Sequence, residues 1–285
     1  MMTYNIKIIF LCISTALMLS CSNEGVDVGN NTSSESSVEG NYFPSTVNDF
    51  RNYEVSNTTT LNMETTISSD SLYVVSQNGT TFMLEVNEGM PANGILCGIL
   101  SSGTLTRSNS SLALNGSFSL PEEIASLFNF EIALNNLVLF DASAENNTVL
   151  STTTNTISQD FNGLPVTITY LLSTTARGNF DNLMLNDAIY NTVTASQLAL
   201  NLSVSTTISV GGFPITITLL EPQDILISTN YFADTIGLVQ ASSEIKYQIS
   251  ATAIAALEAA GQTLTIPASG SSTNIQNLTT FSVTE

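Results

Sequence analysis

Val166-Thr167-Ile168-Thr169-Tyr170 and Ile215-Thr216-Ile217-Thr218-Leu219 place an apolar side chain at every second position. Successive side chains of a β-strand point to opposite faces, so this spacing makes one face apolar and leaves the other to threonine. The pattern continues outward from both stretches: Leu198, Leu200, Leu202 and Val204 alternate, as do Ile245, Tyr247 and Ile249. One apolar face and one wet face is what antiparallel strands require. Turn signals separate the runs at Asn78-Gly79, Asn162-Gly163 and Gly211-Gly212, the residue pairs that two-residue hairpins favour. Pro165 and Pro214 each open a strand, where a missing N–H is tolerated. Residues 156–169 resemble residues 207–218, which reads as two similar hairpins in one meander.

Two short helices are expected beside the strands. Ser119-Leu120-Pro121-Glu122 has the form of a capping box and predicts a helix over 121–128. The Ala-rich stretch ending at Gly261 predicts another over 251–260. The expected fold is therefore mainly β: one large curved antiparallel sheet, as a half-barrel or a sandwich, with two short helices. Helices this small leave part of a long inner face uncovered. A half-barrel would close that face, lined by Val166, Ile168, Ile215 and Ile217, with loops or with a bound apolar ligand. A sandwich would fill it with side chains.

Composition narrows the chemistry. The 285 residues contain no histidine and no tryptophan. Without histidine, Ser-His-Asp and Cys-His catalysis and His-ligated metals are excluded. Of the three cysteines only Cys97 is expected in the folded domain, within the apolar run 95–100, as a buried thiol with no cationic neighbour to activate it. No cofactor is implied. Arg51, Arg107, Arg177 and Lys246 are scattered and form no basic patch, which excludes nucleic acid as a partner. Carboxylates are the plentiful reactive groups. Asp181 and Asp187 flank residues 182–186, and Glu221, Asp224 and Asp234 gather around the second hairpin. A glycan hydrolase would need two such acids held at a fixed separation. Solvated surface acids are the plainer reading. Asp181-Asn182 and Asn186-Asp187 are the only hints of calcium ligands, and the sequence has no complete calcium loop.

The N-terminus has an organisation of its own. Lys7 precedes an apolar run, Ile8 to Leu19, too short for a membrane span and of signal-peptide length. Met18-Leu19-Ser20-Cys21 resembles the lipobox of bacterial lipoproteins: an apolar residue, a variable one, a small one, then cysteine. The resemblance implies a signal peptide over 1–20 and lipid on Cys21, hence a membrane anchor. Residues 21–41, rich in Ser, Asn, Gly and Glu, then read as a tether. Glu24 and Asp27 are similar to the acidic export tag of Bacteroidetes surface lipoproteins. Without Lys7 the chain carries 24 acids against 4 bases, a formal −20.

Two further stretches, Tyr42-Phe43-Pro44-Ser45-Thr46-Val47 followed by Tyr53-Glu54-Val55, with Phe50-Arg51 where the group commonly has Trp, and Tyr231-Phe232-Ala233-Asp234-Thr235-Ile236-Gly237-Leu238-Val239, resemble the opening and closing segments of a broad group of envelope lipoproteins. That resemblance implies one half-barrel domain over 42–285 and transfers no catalytic residue. The expected role is a lipid-anchored outer-membrane lipoprotein, facing the cell surface or the periplasm. It would be a non-enzymatic binding or structural module for an apolar ligand, an envelope protein or a glycan. The alternative is a carboxylate-dependent glycan hydrolase.

Overall fold

The computed structural model describes residues 40–59, 63–121, 125, 130–161, 164–210, 212–262 and 267–284. The expected signal peptide, Cys21 and nearly all of the expected tether lie outside them. Twelve strands form one antiparallel sheet. In chain order they are β1 Phe50–Thr59, β2 Glu64–Asn78, β3 Thr81–Val86, β4 Gly103–Arg107, β5 Ser111–Ser119 and β6 Glu131–Asp141, then β7 Val149–Phe161, β8 Leu164–Leu185, β9 Ala188–Val210, β10 Phe213–Ala233, β11 Gly237–Gln248 and β12 Ser269–Ser282. Two meanders, β1 to β6 and β12 back to β7, join through the β1–β12 pair. The sheet curls until it is nearly closed like a barrel. All twelve strands belong to this one sheet, so the sandwich alternative is set aside.

The two edge strands meet through side chains. Val138 N on β6 donates to Ser151 Oγ on β7 at 2.9 Å, and Val138 O accepts from Thr174 Oγ1 on β8 at 2.6 Å. Hydroxyls thus satisfy edge groups that would otherwise be free to pair with another chain.

The alternation places the core as expected over most of its length. Val166, Ile168, Leu198, Leu200, Leu202, Val204, Ile245, Tyr247 and Ile249 are all buried. Ile215 and Ile217 correct that expectation: Ile215 is 45% exposed and Ile217 only partly buried. β11 pairs with β10 only from Leu226 onward. The start of β10 therefore runs past this neighbour, which leaves its inner face less covered. A second correction concerns the polar residues. Two neighbouring cross-strand rows, Ser196–Asn230–Ala241–Gln276 and Leu198–Ser228–Ser243–Asn274, are buried although most of their members are polar. Ser243 Oγ donates to Ser228 Oγ, which donates to Asn230 Oδ1.

The helix expected over 251–260 is present as Ala251–Ala259; Ser250 Oγ accepts from Ala253 N, and Gly261 ends it at φ 73°. That expected over 121–128 lies largely outside the described residues, although Ala125 N donates to Pro121 O with helical spacing. A helix the alternation did not predict, α1, spans Ile95–Leu100, and the Ala251–Ala259 helix is α2. Leu96, Cys97, Ile99 and Leu100 of α1 are all buried, so this helix fills part of the curled sheet.

Candidate functional site

α1 has six residues and no capping side chain of its own. The free N–H groups of its first turn would be costly to bury unpaired. Residues distant in sequence supply the acceptors. Asp70 Oδ2 on β2 accepts from Gly94 N at 2.7 Å, Asn274 Oδ1 on β12 from Ile95 N at 3.2 Å, and Gln276 Oε1 from Cys97 N at 3.1 Å. Asp70 Oδ1 also accepts from Asn87 Nδ2, Asn93 N and Asn93 Nδ2 at 2.7, 2.9 and 3.0 Å. The buried carboxylate is thus saturated with donors, which is how a buried charge is tolerated. Gln276 occupies the space a Cβ on Gly94 would need, so only glycine lets the two elements approach.

Beside α1 lies a groove of about 930 Å³, inside the range of roughly 300–1,000 Å³ usual for small-molecule sites. Leu84 and Val86 of β3, Ile95 and Ile99 of α1, Phe118 of β5 and Ile245 of β11 supply its apolar lining. Asn57, Asn274 and several serines supply polar groups, and Glu85 is the one carboxylate among the described lining residues. The groove combines an apolar lining with a few polar groups able to orient a ligand's head.

The free thiol of Cys97 is buried. Burial first, then the neighbouring Asp70 carboxylate to which it donates, push this thiol well above its ordinary range. That is the opposite of what a nucleophile needs.

The acids singled out in the sequence do not come together. Asp187 sits with Asn186 in the β8–β9 turn, both residues at positive φ, so this pair is turn chemistry. Asp181 is exposed on β8. Asp224 accepts from Asn201 Nδ2 on the outer surface, and Asp234 accepts from Asn41 N in the β10–β11 turn. Ten residues along the chain separate those two, roughly 33 Å if extended. No group of three or more Cys, Asp or Glu able to hold a metal occurs among the described residues.

The two stretches that resemble lipoprotein segments do come together, around Arg51, which reads in the sequence as one of four scattered cations. Arg51 is fully buried. Its guanidinium lies 4.5 Å from the Phe43 ring centre, Nη2 donates to Pro44 O at 2.8 Å, and Nε donates to Ile236 O. Phe43 stacks on Phe82 at 5.6 Å, and Phe232 packs on Phe140 at 4.4 Å. Tyr42, Phe43 and Phe232 are therefore core residues at one end of the barrel. Compared with known families, curated proteins and solved structures, the chain matches no family model, no curated protein and no solved structure.

Proposed function

We propose that this chain is a lipid-anchored envelope lipoprotein, attached through Cys21 to the outer membrane, whose β domain holds an apolar or amphipathic ligand without catalysing a reaction. The groove beside α1 carries this reading. Its apolar lining suits a chain-like ligand, and Ser117 and Ser119 at its rim offer hydroxyls to a polar head, whereas Asn274 is already bonded to Ile95 N, Asn57 and Asn93 O. A carboxylate-dependent hydrolase is disfavoured on the same ground. It needs two facing acids, whereas the described lining residues offer only Glu85, and both oxygens of nearby Asp70 are already engaged.

The test fills the groove. Ala92 lines it and is only partly buried. Ala92→Trp should abolish binding of a fluorescent fatty acid by the native protein while leaving the melting temperature nearly unchanged. A native protein that neither binds such probes nor carries lipid on purification, by mass spectrometry, would remove the ligand and leave a structural role.

A further inference from the structure

β8 and β9 outrun the rest of the sheet at one end. β7 stops near the bond from Ala176 N to Thr148 O, and β10 stops near the bond from Asp234 N to Thr192 O. Beyond those points the two strands continue as a ribbon to the turn at Asn186 and Asp187, whose φ angles of 47° and 65° give a tight hairpin. One face of the ribbon, Leu183, Leu185 and Tyr190, packs against the core. On the other face Met184 and Ile189 are cross-strand partners, each 70% exposed, and Phe180 nearby is 37% exposed. Two large apolar side chains side by side on a projecting ribbon are an interaction surface.

The occupant is indicated by where the N-terminal segment joins the domain. Asn41 N donates to Asp234 Oδ1, and Asn41 O accepts from Thr235 N. These bonds root the chain preceding Gly40 at the level of Thr192, the base of the ribbon. The tip at Asp187 lies five residues further on, roughly 17 Å along the strand. Nineteen residues, Cys21 through Glu39, lead up to Gly40. A Ser/Gly-rich linker of that many residues would span roughly 24 Å root-mean-square, against roughly 70 Å for the length of β8. A lipid on Cys21 would therefore hold the ribbon end of the barrel, rather than the Phe213 end, at the bilayer. Asp181 and Asp187 are exposed on the ribbon, which suits zwitterionic rather than anionic headgroups.

We propose that the β8–β9 hairpin is a second membrane contact, seating Met184 and Ile189 in a zwitterionic lipid interface beside the anchor. The proposal rests on the reading that Cys21 is lipidated. The test uses the acylated full chain with Asn191→Cys, an exposed ribbon position that leaves both apolar residues in place, carrying an environment-sensitive fluorophore. Cys97 is buried and Cys21 would be acylated, so the label is unique. Ser209→Cys reports the opposite end of the barrel. On phosphatidylcholine vesicles containing a shallow nitroxide lipid, the label at 191 should be quenched several-fold more than that at 209. Adding Met184→Ser and Ile189→Ser, both at exposed positions, should cut the quenching at 191 several-fold, leaving only the weaker bias that the anchor itself imposes. Equal quenching at 191 and 209 in protein that carries acyl chains and floats with vesicles overturns the contact and leaves the anchor standing. So does quenching at 191 that the serine pair leaves unchanged. Absence of labelled fatty acid on Cys21 overturns the anchor, and the proposal with it.

Discussion

Arg51 is a buried cation held without a salt bridge; among the described residues the one ion pair is the exposed Lys246–Glu244, at 3.8 Å. Burial lowers its pKa, while Tyr53 and Asp49 act in the opposite sense. What holds it is the pair of carbonyls, Pro44 O and Ile236 O, and the face of Phe43. Gly237, at φ 104°, leaves room for it: a Cβ there would come within 2.6 Å of Arg51 Nε. Arg51→Met would keep much of the packing but strand both carbonyls, each worth about 1–3 kcal/mol when buried unpaired. Relief of the desolvated charge offsets part of that loss. The expected net destabilisation is about 2 kcal/mol, read as a lower urea midpoint at unchanged slope. Arg51→Lys should not rescue it, because a single ammonium lacks the planar fork that reaches both carbonyls. A Met variant as stable as the parent would show that the guanidinium is dispensable.

At the scale of elements, two devices close the barrel, and neither is local in sequence. α1 reads as six mostly apolar residues, a run that periodicity alone assigns equally to a buried strand or a helix. Its first N–H groups are satisfied from β2 and β12, at separations of 24 and 179 residues, so no capping pattern precedes it. The β6–β7 seam depends on Ser151 and Thr174, ordinary members of Thr/Ser-rich strands until the sheet curls. Ser151→Ala and Thr174→Val should each cost about 1 kcal/mol. Amide exchange at Val138 should rise with Ser151→Ala while exchange in β11 and β12 stays slow. Unchanged protection at Val138 would mean that the seam is held by something else.

For the whole molecule, the stability profile with pH follows from groups buried in the barrel. The Cys97 thiol and the Tyr53 hydroxyl are both raised well above their ordinary values, burial being the largest cause for each. In the unfolded chain the thiol ionises from about pH 8.5 and the phenol from about pH 10, while the folded protein keeps both protons. The unfolded state then binds fewer protons, so stability falls as pH rises. Their contribution is complete below about pH 8.5 and is lost progressively above it. Cys97→Ala should delay the alkaline decline in melting temperature, leaving the later phase due to Tyr53. An identical decline in both proteins would show that the thiol does not contribute.

Alternation, hairpin pairs and the Ala-rich stretch before Gly261 are local signals, so the antiparallel class, most core positions, the Asn78-Gly79 hairpin and α2 follow from the sequence by itself. The burial of Cys97 is legible from its apolar neighbours. What only the tertiary structure decided depends on contacts between distant residues. A period of two states which side chains share a face but not how far a neighbouring strand extends, so Ile215 reads as inward and lies exposed. It does not distinguish an inward Ser196 or Gln276 from an outward one until register is known. Arg51 is a core residue because segments near residues 44 and 236 meet around it, and the groove exists because α1 docks against β12. Strand chemistry acts over a few residues and is written in the chain, whereas curl, closure and cavities arise from pairings across nearly its whole length.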